Sequence, residues 1–109
     1  MENQAGQKEM LVISDRTGIY NIPLEGIIRF ESQGAYSVTH AAMGEKYTSC
    51  KSLGAISKEL HKVNKFFRIH NSHIINLTKI KMYKKANGGV VVMTDGSEIP
   101  VSRRRKSGF

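Results

Sequence analysis

Tryptophan is absent from this chain of 109 residues, and cysteine occurs once, at Cys50. A lone thiol closes no internal disulfide, so packing alone must hold the fold, and a reducing compartment is no obstacle to it. No apolar run approaches the roughly 20 residues that a membrane span needs, and residues 1–10 carry no apolar signal-peptide core. A cytoplasmic location is expected. Aromatics are sparse, with four Phe and four Tyr, which leaves Ile, Val, Leu and Met to build the interior. With 39% hydrophobic residues, the length suits one domain with a modest core and is too short for two.

Acidic residues are also scarce, but only in one half. From residue 60 to the end, eleven Lys and Arg face two acids, Asp95 and Glu98, a net of +9. Residues 1–59 carry six bases against seven acids, a net of −1. The whole formal charge of +8 therefore sits in the second half, as an electrostatic footprint on a polyanion would.

Residues 1–8 are small and polar and read as a disordered leader, with the domain proper at 9–106 and a tail at 107–109. Short extended stretches follow one another. Residues 9–14 and 19–23 flank a turn at 15–18, and 27–32 and 36–41 flank Gln33 and Gly34, with 45–49 next. Leu53, Ile56, Leu60 and Val63 recur at helical spacing behind Ser52, a good N-cap, which predicts one short helix at about 53–63. Beyond it, 80–85 reads as a strand with a basic outer face. Asn87 and Gly88 signal a two-residue hairpin, 90–93 is apolar enough for a central strand, Asp95 and Gly96 turn again, and 99–101 closes with Pro100 at an edge. The predicted class is mainly β: an elongated stack of small antiparallel sheets with one short helix.

Arg103, Arg104, Arg105 and Lys106 repel one another, so the run serves no purpose inside a core. It is either a solvated tail or a nucleic-acid contact; placed directly after a strand, its first side chains would be held by the sheet, where a guanidinium can fork to guanine or clamp phosphate. Asn71, in a segment without helical or strand period, would ordinarily be a turn residue bonding its own backbone. His70 and His73 are three apart, as metal ligands on a helix can be, but no Cys, Asp or Glu lies between residues 60 and 94 to complete a site. Ser72 has no acid to orient a neighbouring imidazole, Gly88 and Gly89 lack a phosphate-loop pattern, and Cys50 has no base partner. Neither an enzyme nor a cofactor is expected.

The run Phe66-Phe67-Arg68-Ile69-His70-Asn71-Ser72, then Ile74-Ile75-Asn76, a strand, a turn, and residues 95–104 (DGSEIPVSRR) resembles the signature of the LytTR family of bacterial DNA-binding domains. The earlier stretch 27–32 (IIRFES) followed by Tyr36 fits too, as does the helix before Phe66, so the resemblance covers residues 9–106. It implies a transcription regulator of two-component systems that binds duplex DNA at direct repeats through loops in the major groove, with a second copy on the adjacent repeat. It implies base reading by Asn71 and by Arg104, with Arg103 within one position, and a third contact region after 30–32 at Gln33 and Ser37. Arg68, His70 and Ser72 are implied as supporting positions that contact the phosphate backbone or brace the loop, and Asn76 as a further supporting position. Lys51, Lys79, Lys84, Lys85 and Arg105 are candidates for the phosphate backbone. Such domains are typically the output half of a response regulator, whereas this chain has no receiver domain; it is expected to be a standalone regulator or an excised domain. The alternative is a basic β module that binds single-stranded nucleic acid by stacking.

Overall fold

A computed structural model of the chain describes residues 9–106; the leader at 1–8 and the tail at 107–109 lie outside the described residues, as do the side chains of Asn87, Arg105 and Lys106. Ten strands form three antiparallel sheets. β1 (Met10–Ser14) and β2 (Ile19–Pro23) are a hairpin. β3 (Ile27–Gln33), β4 (Tyr36–Ala41), β5 (Lys46–Ser49), β6 (Phe66–His70) and β7 (His73–Asn76) make a five-stranded sheet in the order β5-β4-β3-β7-β6. β8 (Ile80–Lys84), β9 (Val90–Met93) and β10 (Glu98–Pro100) make the third sheet, with β9 central and β10, which carries Pro100, at an edge. The molecule is elongated, 45 × 34 × 24 Å.

The five-stranded sheet lies between two apolar layers. On one face Ile27, Phe30 and Ile74 pack with Leu11, Ile13 and Ile22 of the first hairpin and with the helix α1 (Leu53–Leu60). On the other, Ile28, Ile69 and Ile75 pack with Val91, Met93, Ile99 and Val101. A strand normally alternates its faces, which would send Ile27 and Phe30 to opposite sides. The register shift between Ile27 and Arg29 cancels one step, so both enter the same core while Ile28 enters the other.

The helix is shorter than its periodicity predicts, ending at Leu60, with Val63 bonded back to Leu60 in a turn. Ser52 caps it, its side chain accepting from the amide of Ala55 at 3.1 Å. Two predicted features are corrected. The segment around Asn71, read as having no helical or strand period, is the turn of the strand pair β6–β7, and β7 lies inside the sheet with Ile74, Ile75 and Asn76 all buried. Burial on both faces removes the alternation by which a strand is recognised. The link from β8 to β9 is a 3-10 turn at Ala86–Gly88 rather than a two-residue hairpin; it approaches so closely that a Cβ on Gly89 would meet the Tyr83 hydroxyl.

Candidate nucleic-acid interface

Asn71 and Ser72 form the tight turn between β6 and β7. Side-chain and backbone hydrogen bonds hold it. Arg68 donates from Nη2 to the Asn71 carbonyl at 2.8 Å, the Ser72 amide donates to Nδ1 of His70 at 3.0 Å, and the Ser72 carbonyl accepts from the Ser32 amide at 2.9 Å. Asn71 itself is exposed. The segment around Asn71, which shows no helical or strand period in sequence, is turn only at Asn71 and Ser72, while the flanking residues are strand.

The bond from Ser32 brings in a second segment. Ser32 is followed by Gln33, and Gln33 pairs with Tyr36 across the hairpin tip at Gly34 and Ala35, where Gly34 takes φ 64°. That left-handed conformation is open to glycine at little cost. Gln33 and Tyr36 are exposed at this tip, Tyr36 by 55%.

The end of the chain supplies a third. The Val101 amide donates to the Gly89 carbonyl at 3.1 Å and the Ser102 amide to the Ile69 carbonyl at 3.0 Å, so the two residues before the arginines are stitched between the β8–β9 link and the strand that leads into Asn71. Contrary to the expectation that the run follows directly on a strand, β10 ends at Pro100 and Arg103–Lys106 is a single helical turn, α2, packed against β6. Arg103 and Arg104 are exposed. Lys84 and Lys85 lie at the same end, because Lys84 pairs with Val90 and Val90 with Pro100. Lys85 is exposed, and Lys84 bonds Glu98 at 3.0 Å.

Several predicted contacts are placed elsewhere. Ser37 is fully buried, its hydroxyl facing inward from β4 with no hydrogen-bond partner, so it cannot reach a base. Asn76 is also buried: its amide nitrogen donates to the Ile27 carbonyl at 2.8 Å and its oxygen accepts from the amide and hydroxyl of Thr78. It ties β7 to β3 from inside. Lys51 pairs with Glu59 and reaches the Val12 carbonyl, toward the first hairpin. Lys79 sits at the start of β8, five residues before Lys84 and so about 16 Å from the arginine end of that strand. The side chain of Arg105 lies outside the described residues.

Behind the turn, a polar cluster that sequence reading did not assemble crosses the sheet face. Glu31 bonds His40 at 3.0 Å and Arg29 at 3.3 Å, and the His73 ring lies 5.4 Å from that of His70. Burial pushes the Glu31 carboxyl up, but the His40 hydrogen bond and the Arg29 charge together outweigh it and leave the group below the usual range. Burial holds both His40 and His73 below the usual imidazole range, with Arg29 adding to the effect on each. The signal was the alternation of Arg29 and Glu31 on one strand face; that His40 and His73 stand opposite them is a matter of pairing.

Among the described residues, no group of three or more His, Cys, Asp or Glu is arranged to hold a metal ion, and no helix is long and apolar enough to cross a membrane. The family model described as LytTr DNA-binding domain matches residues 17–109. The chain belongs to the LytTR family. This LytTR chain is therefore a DNA-binding domain of the kind carried by transcription regulators. It is similar to the CO-responsive transcriptional regulator RcoM of Rhodospirillum rubrum, at 31% identity over 81 residues, 72% of this chain and 34% of that protein. It is similar also to the heme-containing CO-sensing transcriptional regulator RcoM 2 of Paraburkholderia xenovorans, at 33% identity over 87 residues, 77% of this chain and 32% of that one. The LytTR chain thus spans about a third of the length of these relatives. A solved LytTr DNA-binding domain from Bacillus cereus matches with a TM-score of 0.78 at 22% identity, covering 95% of this chain and 94% of that one, and shares the fold.

Proposed function

We propose that this domain binds duplex DNA sequence-specifically with one end of its sheet stack, on behalf of a cytoplasmic transcription regulator. The observation that carries the reading is convergence. The hairpin tip at Gln33, the turn at Asn71, the helical turn at Arg103 and Arg104, and the link after Lys84 come from four distant parts of the chain, yet direct backbone hydrogen bonds join them into one rim. The rim combines amide side chains, which bond base edges in the major groove, with guanidinium groups, which fork to guanine or to phosphate. In this reading Asn71 and Arg104 read bases, with Arg103 and Gln33 beside them. Lys85 neutralises phosphate, and Arg105 is assigned to the backbone by its place in the run. Helix α1 cannot enter a groove apolar face first, because Leu53, Ile56 and Leu60 are buried in the core. In this reading one copy reads a short site, and a second copy on an adjacent direct repeat extends it. A receiver or other sensory domain elsewhere in a longer protein would set when the rim engages DNA.

The test is selection of bound sequences from random duplex DNA, followed by competition of the selected duplex against its separated strands. Enrichment of a motif, in repeat, and displacement by duplex alone are expected. Equal competition by single strands would favour the alternative in which exposed Tyr36 stacks on unpaired bases.

A further inference from the structure

His70 does more in this geometry than a phosphate contact would require. The Ser72 amide can only donate, so the 3.0 Å bond to Nδ1 of His70 exists only while that nitrogen carries no proton. The ring thereby does what an Asn or Asp side chain does in an Asx turn, accepting from the amide two residues on and fixing the turn's shape. The residue between them is Asn71.

We infer that His70 is a positioning residue whose neutral imidazole sets the Asn71 turn for base reading, and that protonating Nδ1 releases the Ser72 amide and weakens sequence-specific binding. The inference rests on the reading of Asn71 as a base contact. Protonation replaces an acceptor by a second donor aimed at an amide hydrogen, so the bond is lost and the two groups repel. Several titratable and charged groups face the ring from the elements around it. His73 stands across the strand pair with ring centres 5.4 Å apart, and its own Nδ1 is buried without a hydrogen-bond partner. Arg68, on the same strand, grips the Asn71 carbonyl. Arg29, Glu31 and His40 lie beyond His73 on β3 and β4, with Glu31 the one acid among them and already bonded to both of the others. From α2, packed against β6, come the exposed Arg103 and Arg104. The bonds that Arg68 and Ser32 donate to the turn do not involve the ring, so protonation loosens the turn without unfolding the domain.

A phosphate contact would have the opposite sign: a charged imidazole near DNA strengthens binding to every sequence as the pH falls. The experiment measures affinity of the chain for its selected duplex and for a random duplex between about pH 8 and pH 5.5, in the wild type, in His70→Asn and in His70→Ala. Asn places an oxygen where Nδ1 stood and does not titrate. The wild type should lose roughly two- to tenfold in specific affinity on acidification, the worth of one hydrogen bond, with no loss on random duplex. His70→Asn should keep the high-pH affinity and abolish that loss, and His70→Ala should be weak throughout. Subtracting the His70→Asn profile removes the titrations of His40, His61 and His73. A wild-type affinity that rises on acidification, or an identical loss in His70→Asn, overturns the inference. Should no duplex be preferred at any pH, the base-reading role of Asn71 fails instead, and amide NMR of the DNA-free protein decides the remainder. There the Ser72 amide should shift with the His70 titration in the wild type, and its failure to do so overturns the positioning role.

Discussion

The amide of Ser102 donates to the carbonyl of Ile69 at 3.0 Å, which fixes the start of the arginine turn two residues from Asn71 along β6. One backbone bond thus sets the spacing between the two side chains proposed to read bases. Ser102→Pro deletes the donor. It should lower affinity for the selected duplex by about tenfold, near the upper worth of one hydrogen bond, while leaving random-duplex affinity unchanged, since no charge is removed. A mutant that binds its selected site as the wild type does would show that the register between the two elements is held by something else.

Asn71→Ala and Arg104→Ala should each cost on the order of 1–3 kcal/mol on the selected duplex. They should differ on random DNA. Asn71 carries no charge, so the slope of log affinity against log salt should stay put, whereas losing Arg104 should reduce it by about one unit. Both side chains are exposed, and melting temperatures should hold. Fluorescence anisotropy across a salt series reads all of this; equal losses on both duplexes would reduce both residues to non-specific contacts.

The lysines should separate by position. Lys85, exposed beside the arginine turn, should weaken all duplexes alike when replaced by Ala. Lys79→Ala, at the opposite end of β8, should change affinity less than about twofold. Lys51→Ala should act on stability, through the lost Glu59 pair and hydrogen bond to Val12, by under ~1 kcal/mol because the pair is partly exposed. A Lys79 variant as impaired as the Lys85 variant would mean that DNA runs along the whole sheet stack and not across one end.

Burial assigns two polar residues to the fold. Asn76→Ala strands the Ile27 carbonyl inside and should cost about 1–3 kcal/mol of stability by denaturant titration. Ser37→Ala removes a hydroxyl that has no partner, so the change should stay within ~1 kcal/mol and leave DNA affinity intact. Loss of specific binding in Ser37→Ala without loss of stability would return that residue to the interface.

Stability should fall on mild acidification. Burial holds His40 and His73 below the usual imidazole range, so as the pH drops below about 6.5 the unfolded chain takes up protons that the native state does not yet bind. The unfolded state is then favoured, and its advantage grows until the native groups titrate in turn. Glu31, held below its usual range, loses its native contribution only at lower pH. Melting temperatures at about pH 7.5 and pH 5.5 should therefore fall in that order, and less so in His73→Gln; no change in the wild type would mean that both rings sit in a more polar setting.

Amino-acid order alone determined what is local. The spacing of Leu53, Ile56 and Leu60 behind Ser52, the turn chemistry at 15–18 and 95–96, the apolar run of β9 and the charge imbalance are each contained in a few consecutive residues, and so are the family's motifs at 66–76 and 95–104. Only the tertiary structure decided the rest. β7 shows no alternation because its sheet is covered on both faces, by the first hairpin and α1 on one side and by the third sheet on the other, and those layers come from distant parts of the chain. Ser37 and Gln33 look equally polar in sequence, yet pairing on both sides of β4 buries the first while the hairpin tip exposes the second. Lys51 and Lys84 carry the same charge as Lys85, but folding gives them carboxylates that the sequence does not adjoin to them. A side chain's periodicity and charge belong to its own segment, whereas its burial, its partners and the direction it faces are set by strands that meet only in the folded chain.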